Sequence, residues 1–441
     1  MTTETVYWNE EMETLPADRM RELQFRRLLD RLAYVGQNAP FYRKKFGATG
    51  LEPDAIRDPK DFAEKVPFTT KEELQQERDD TADPFGGLCC VSREDIVHLL
   101  RTAGTTGVPT LYGLTEDDLQ TLGELSARMW YQLGARRGHT VAIGTFGSWN
   151  TFSTTLLEGL RTGGIKRYHF SMPAPGEEVF PIEVLSRWMD IDGMYLSSRP
   201  LWQVTQKYGE KLQEYLPNFK YLFMAGQHVT SSLRKGVEAL WGAKLFDAYP
   251  MTDAGLPSAN CTAQTETFHF PEDAFFVEVI DPDSGENLTG TGRVGEIVVT
   301  SLVLKATPLV RFRSGDMGYT VTGTCGCGRT GTRLGIAERT AHAIRVGDRT
   351  VFSSEVEEVL YGMPEFFLKQ YYLVRKREQP QERLVLRVEA PTGDAAQQKL
   401  LKEDLISSIQ ETLEIGADVE FASEGDEKFV AMYKFLRVVD E

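Results

Sequence analysis

The sequence predicts an α/β protein with a large N-terminal α/β domain over residues 1–338 and a small C-terminal α+β domain over 339–441. Three observations predict it. Short apolar runs alternate with an amphipathic helix, as in a parallel sheet; residues 275–320 shift to β-rich hairpin texture; and the pattern resets after Arg339. In chain order, residues 11–46 carry Met20, Leu23, Phe25, Leu28, Leu29 and Leu32 at helical spacing, interrupted at Asn38-Ala39-Pro40. VAIGTFG (141–147), YLFMAG (221–226) and KLFDAYP (244–250) read as buried strands, with the helix SSLRKGVEALWG between the last two. Ligands of such sheets lie beyond the strands' carboxyl ends, so the loops after Phe146, Met224 and Tyr249 are candidate site loops. FFVEVIDPDSGENL, GEIVVTSLV and PLVRFRSGD form the β-rich subdomain, with a DPDSG turn. In the C-terminal domain SSEVEEVLYGM reads as a serine-capped helix, KQYYLVRKR and RLVLRVEA as paired strands, AAQQKLLKEDLISSIQETL as a long helix and DVEFA as a strand.

Composition excludes several function classes. The 441 residues hold 49 Lys+Arg against 65 Asp+Glu, a formal charge of −16, which lacks the cation surplus that displaces counterions from nucleic acid. Mean hydropathy is −0.32, and no apolar run approaches the roughly 18–20 uncharged residues of a bilayer span. The opening MTTETVYWNEEMETLP has neither the basic head nor the apolar stretch of a secretory signal, so the expected compartment is the cytoplasm. The five cysteines are an odd number, grouped as Cys89-Cys90, Cys261 alone, and Cys325 with Cys327; this is no disulfide framework. The sequence is compatible with a homodimer.

Two constellations carry chemistry. Arg101-Thr102-Ala103-Gly104-Thr105-Thr106-Gly107-Val108-Pro109-Thr110 combines glycines, which let backbone N–H groups turn inward, with threonine hydroxyls. It reads either as a polyphosphate cradle or as an ordinary surface turn, and no Lys-Ser/Thr follows to make it a Walker loop. Cys261, His269, Cys325 and Cys327 read either as a complete Cys₃His zinc shell or as four independent residues.

The Thr-rich stretch resembles the phosphate loop of adenylate-forming enzymes, and its surroundings are similar to the phenylacetate-CoA ligase branch. WNEEMETLPADRMRELQFRRL, NAPFYRKKF, VPFTTKEEL, HFPEDAFFVEVIDPDSGE, PLVRFRSGDM, CGCGRTGTRL and VFSSEVEEVL carry the resemblance across nearly the whole chain. It implies the adenylate-forming fold, with the C-terminal domain as a mobile lid. The implied activity is conversion of an aromatic carboxylic acid, aryl or arylacetic, by ATP to acyl-AMP and pyrophosphate, with transfer of the acyl group to coenzyme A.

By this resemblance Thr102, Thr105, Thr106 and the backbone at Gly104 and Gly107 hold phosphates, and Val108 stands where a lysine is usual, removing one cation. In Tyr249-Pro250-Met251-Thr252-Asp253, Tyr249 stacks on adenine, Thr252 bonds the α-phosphate, and Asp253 takes the place of a magnesium-binding glutamate. Pro250 replaces a glycine there. Ala225, Gly226 and Gln227 line the adenine, and Asp316 accepts both ribose hydroxyls, a diol matched to two carboxylate oxygens. Arg339 reaches ribose or phosphate just before the hinge, where Ala341 replaces an aspartate. In the YKFLRVVDE tail Lys434 is the adenylation lysine, with Lys428 as the competing candidate. Trp149, Phe152 and Met251 fall at the acid pocket, although GSWNTFSTT departs from the family's glycine-rich stretch. The branch also favours structural zinc at the Cys₃His set. The departures at Val108 and Ala341 are equally those expected if an amine, hydroxyl or carrier-protein thiol accepts the acyl group, and together with Pro250 and Asp253 they suit a noncatalytic binding relative.

Overall fold

The computed structural model describes residues 6–101, 109–145, 151–171, 182–251, 253–263, 266–338, 342–377, 380–422, 429 and 437–441. The chain packs as two compact units, Met1–Val141 with Gly147–Tyr168 and Ala248–Ala337, and Ala142–Phe146 with His169–Asp247 and Glu338–Glu441.

The first unit begins with the helices Ala17–Asn38 and Pro40–Thr49, which break where Ala39 takes an extended backbone ahead of Pro40. Their apolar faces, Leu28, Leu32, Val35, Tyr42 and Phe46, join one core with Phe275, Val277, Ile297, Val299 and Phe312. Those last five residues sit on an antiparallel sheet ordered Phe268–His269, Arg333–Ile336, Phe312–Val321, Gly295–Ser301, Phe275–Ile280, the subdomain expected from the 275–320 texture. Inside it Arg311 donates to both oxygens of Glu278 (3.0 and 2.9 Å) and to the carbonyls of Ala63 and Val66, which satisfies a guanidinium and a carboxylate buried together. A two-stranded ribbon, His98–Arg101 with Leu111–Leu114, brackets the Thr-rich loop.

Most of a five-stranded sheet falls in the second unit, ordered Lys166–Ser171, Thr140–Thr145, Gly193–Tyr195, Tyr221–Ala225, Lys244–Ala248, with Gly193–Tyr195 parallel to Tyr221–Ala225. The helix Ser231–Trp241 is capped by Thr230 Oγ1, which accepts from Leu233 N–H, and ends at Gly242 in the left-handed conformation. Gly236 leaves its face open to the Phe367 ring, which a Cβ there would strike at 2.1 Å. The C-terminal segment builds a four-stranded sheet ordered Ala417–Ala422, Leu384–Glu389, Tyr371–Arg375, Val438–Asp440, with the long helix Ala395–Leu413. The expected serine cap of Ser353–Gly362 is corrected: Ser353 is already helical and its hydroxyl donates to Glu338 (2.6 Å), while Glu355 accepts from Phe352 N–H at the helix start. Among the described residues no helix is long and apolar enough to cross a membrane.

Candidate active site

Two tyrosine–aspartate pairs form the centre of the first unit's candidate site. The turn after Lys244–Ala248 is held by Tyr249 N–H donating to the Ser258 carbonyl (3.1 Å) and by reciprocal Met251–Leu256 bonds (3.1 Å each). This aims the Tyr249 hydroxyl at Asp316 Oδ2, 2.7 Å away, on the strand Phe312–Val321. Tyr112, on the ribbon that brackets the Thr-rich loop, donates its hydroxyl to Asp253 Oδ1 at 2.9 Å. Burial pushes the Asp253 carboxyl above its ordinary value, with Lys71 and the Tyr112 hydrogen bond pulling back and Asp316 adding repulsion. Burial and the Asp253 charge hold the Tyr112 phenol well above its usual range. Met251 is buried in the main core.

In the second unit the strand Tyr221–Ala225 delivers Ala225, buried, and Gly226, whose φ of +90° favours glycine. Gln227 Nε2 donates to Glu357 Oε2 (3.2 Å), and Thr230 Oγ1 to Glu357 Oε1 (3.4 Å). The same carboxylate accepts from Tyr371 Oη (3.0 Å) and Arg437 Nη2 (2.8 Å), and the Arg437 guanidinium lies 4.0 Å from the Tyr371 ring centroid. Burial pushes Glu357 up, against the pull of Arg437. Residues 225–230 and the segment entering the C-terminal tail thus meet at one buried carboxylate.

A third cluster is separate from both. Ligand atoms of Cys261, His269, Cys325 and Cys327 all lie within 4.8 Å of one another, with Cys261 Sγ 3.6 Å from Cys325 Sγ and Cys327 Sγ 3.6 Å from His269 Nε2. Zinc–sulfur bonds of about 2.3 Å at tetrahedral angles set thiolates about 3.8 Å apart, so the cysteines stand at the spacing of a metal shell and far outside that of a disulfide. The hydrogen bond from Cys261 and the nearby His269 pull the Cys327 thiol down, while the same pairing and burial push Cys261 up. The knuckle that presents Cys325 and Cys327 closes through Gly328 N–H to the Cys325 carbonyl (2.9 Å). The adjoining Arg329 is buried against Glu13 (2.6 Å).

A family model described as the AMP-binding enzyme C-terminal domain matches residues 349–441. The chain is 32% identical to a phenylacetate-coenzyme A ligase of Thermus thermophilus over 414 residues, covering 90% of this chain and 88% of that one. The chain belongs to the phenylacetate-coenzyme A ligase family. A second relative, the phenylacetate-coenzyme A ligase of Pseudomonas putida, is 28% identical over 94% of this chain and 92% of its own length. The crystal structure of a 2-hydroxyisobutyryl-CoA ligase in the postadenylation state, in complex with R3-HIB-AMP, matches with a TM-score of 0.87. It shares 25% identity and covers 100% of this chain and 94% of that one. The fold is therefore that of the adenylate-forming CoA ligases.

Within this ligase, Tyr249, Asp253 and Asp316 of the expected site fall in the first unit and Ala225, Gly226 and Gln227 in the second. Thr102, Gly104, Thr105, Thr106, Gly107, Thr252, Arg339, Lys434 and Trp149 lie outside the described residues, as does the side chain of Phe152, whose backbone opens the helix Thr151–Thr162. Tyr112, Glu357 and Arg437 are additions that sequence motifs did not nominate. The available signal for Tyr112 was its position two residues beyond the Thr-rich loop, and for Arg437 its place three residues beyond Lys434.

Proposed function

We propose that this ligase activates an aromatic carboxylic acid, aryl or arylacetic, with ATP and then hands the acyl group to coenzyme A. One observation carries the reading: the two carboxylates that match the family's metal and ribose positions, Asp253 and Asp316, are each gripped by a tyrosine hydroxyl at 2.9 and 2.7 Å. In this reading Asp316 accepts the ribose diol, Tyr249 presents its ring to adenine beside it, and Ala225, Gly226 and Gln227 line the base. Thr102, Thr105, Thr106 and the N–H groups of Gly104 and Gly107 hold the phosphates, and Thr252 and Arg339 steady the nucleotide.

The acid, packed by Trp149, Phe152 and Met251, attacks the α-phosphorus through a carboxylate oxygen. An acyl–O–P bond forms, the bond to the bridging oxygen breaks, and pyrophosphate leaves with that electron pair. Lys434 neutralises charge building on the α-phosphate oxygens. The thiolate of coenzyme A then attacks the acyl carbonyl and AMP departs.

Asp253 suits magnesium, since it is a hard oxygen donor held by a neutral phenol that leaves its charge available. Bound there, the ion supplies charge neutralisation to the leaving phosphates. The Cys₃His set suits a closed, structural zinc. Residues 339–441 act as the lid, pivoting near Ala341, and the compartment is the cytoplasm.

The test is acid-dependent exchange of labelled pyrophosphate into ATP across a panel of aryl acids, with Lys434→Ala alongside. Exchange is expected with at least one acid, and Lys434→Ala should lower it by on the order of 10²–10³ while ATP still binds. Exchange with no acid sinks the reading; unchanged exchange in the variant removes Lys434 from its role.

A further inference from the structure

The knuckle of the Cys₃His set has a second face. Residues 322–332, between the strands Phe312–Val321 and Arg333–Ile336, hold no helix or strand of their own. Their backbone closes through Cys325 N–H to the Arg329 carbonyl and Gly328 N–H to the Cys325 carbonyl (2.9 Å each), at a Gly328 whose φ of +87° favours glycine. The shape of this stretch therefore depends on two turn bonds and on what its side chains grip.

On one side it carries Cys325 and Cys327; on the other it grips the segment 6–15. Arg329 pairs with Glu13 through Nε (2.7 Å) and Nη2 (2.6 Å), with side chains only 5% and 6% exposed. Its Nη2 also donates to the Val6 carbonyl (3.2 Å), and the guanidinium lies 5.1 Å from the Tyr7 ring centroid. Thr330 N–H donates to the Glu13 carbonyl (3.2 Å) and its hydroxyl to the Leu15 carbonyl (2.7 Å), while the Tyr7 hydroxyl reaches the Cys327 carbonyl (3.5 Å). Glu13 Oε1 accepts from the N–H groups of Trp8 (2.9 Å) and Asn9 (2.7 Å), so one carboxylate both folds the segment and fastens it. The segment's own helix, Glu10–Glu13, is a single turn, too short to stand alone in water. Away from the knuckle, Trp8 packs edge-on to Tyr131 at 5.1 Å and donates to Glu124.

The same segment walls a cavity of about 50 Å³. Met12 and Glu13 line it from one side, Arg128 and Met129 of the helix Glu116–Gln132 from another, and His269 also faces it. A member of the Cys₃His set and the segment 6–15 thus border one space.

We propose that residues 6–15 form a strap whose order depends on a metal ion at the Cys₃His set, and that the strap in turn shields that ion. The inference rests on the structural-zinc reading above and extends it to a conformational device. Cys325 and Cys327 come from one stretch of chain and Cys261 and His269 from elsewhere, and a shared ion ties them to one centre. Protons do not replace that tie, because each ligand then holds its own and the four are free to part. With the knuckle released, Arg329 and Thr330 lose the positions from which they grip Glu13, Val6 and Leu15. The coupling is reciprocal: whatever metal binding adds to the strap, the closed strap adds to retention of the metal.

The experiment measures amide hydrogen exchange on the full chain with zinc bound, after chelation and after zinc is restored, with zinc counted per chain each time. A second arm follows zinc withdrawal by a chromogenic chelator in wild type, Glu13→Gln and, as a surface control, Glu22→Gln. Chelation should speed exchange in residues 6–15 by about tenfold or more, zinc should reverse it, and the strands Phe275–Ile280 and Gly295–Ser301 should keep their protection. Glu13→Gln should bind zinc but release it about tenfold faster, with Glu22→Gln unchanged. Unchanged exchange in 6–15 after zinc removal, or equal release from Glu13→Gln and wild type, overturns the strap. If chelation unfolds the whole unit, the release rates decide; if Glu13→Gln does not fold, exchange on the wild type decides. Untagged protein that holds less than half a zinc per chain and takes up none when it is added overturns the metal reading and the strap with it, whereas bound zinc with an unresponsive segment overturns the strap alone.

Discussion

The Glu357–Arg437 pair offers the sharpest test of how the C-terminal tail is held. Both side chains are nearly inaccessible, at 3% and 6%, and stand 2.8 Å apart. Glu357 takes four donors on its two oxygens, from Arg437, Tyr371, Gln227 and Thr230. Replacing it with alanine strands a buried guanidinium and three uncharged donors, and breaking one side of a buried ion pair costs about 3–5 kcal/mol. Removing both charges in Glu357→Gln/Arg437→Met should recover part of that, giving a coupling of about 1–3 kcal/mol in a double-mutant cycle read by urea unfolding. Because Arg437 anchors the chain three residues from Lys434, the single variants should also slow pyrophosphate exchange at temperatures where they remain folded. A loss below about 1 kcal/mol for Glu357→Ala, or additive single effects, would refute the view that this carboxylate organises the junction.

Two further outcomes are expected. Burial raises the folded-state pKa of Asp253 above 3.8, so its contribution to stability is present below that value and is lost as pH rises through the folded pKa. Asp253→Asn should therefore gain on wild type as pH rises above 3.8 through the folded-state value, while acid activation falls; a stability gap that does not move with pH sinks the argument. Protein purified without a histidine tag should carry one zinc per chain and lose heat stability on chelation, with Cys327→Ser losing the ion. Less than half a zinc per chain would end that assignment.

How much of this was legible in the sequence depended on whether the signal was local. The helix Ser231–Trp241 and the strands Tyr221–Ala225 and Lys244–Ala248 announce themselves by periodicity and turn residues. Gly193–Tyr195 does not, because three residues carry no period, and Lys166–Ser171 alternates basic and aromatic residues that read as surface. Val438–Asp440 joins its sheet in parallel with Tyr371–Arg375, a pairing across more than sixty residues that no local pattern records. The Tyr249–Asp316 pair was half visible: motifs nominated both residues for a nucleotide but gave no reason for them to touch. Ser353 misled because serine before a helical run usually caps it, and here a longer-range acceptor, Glu338, takes its hydroxyl.

The charge pattern explains why the candidate residues stand apart from the rest of the interior. Glu278, Glu13 and Glu357 are each matched by a guanidinium, and such pairs fix structure because neither charge is left for anything else. Asp253 is treated differently. Its direct hydrogen-bond partner is a phenol, which donates without neutralising, and Asp316 nearby adds repulsion. A fold that matches these three glutamates and leaves Asp253 without a guanidinium partner among the described residues has a place where binding a cation relieves a cost already present. A cation with the nucleotide's phosphates would answer it. Neutralising Asp253 should therefore weaken the metal requirement while sparing the choice between acids.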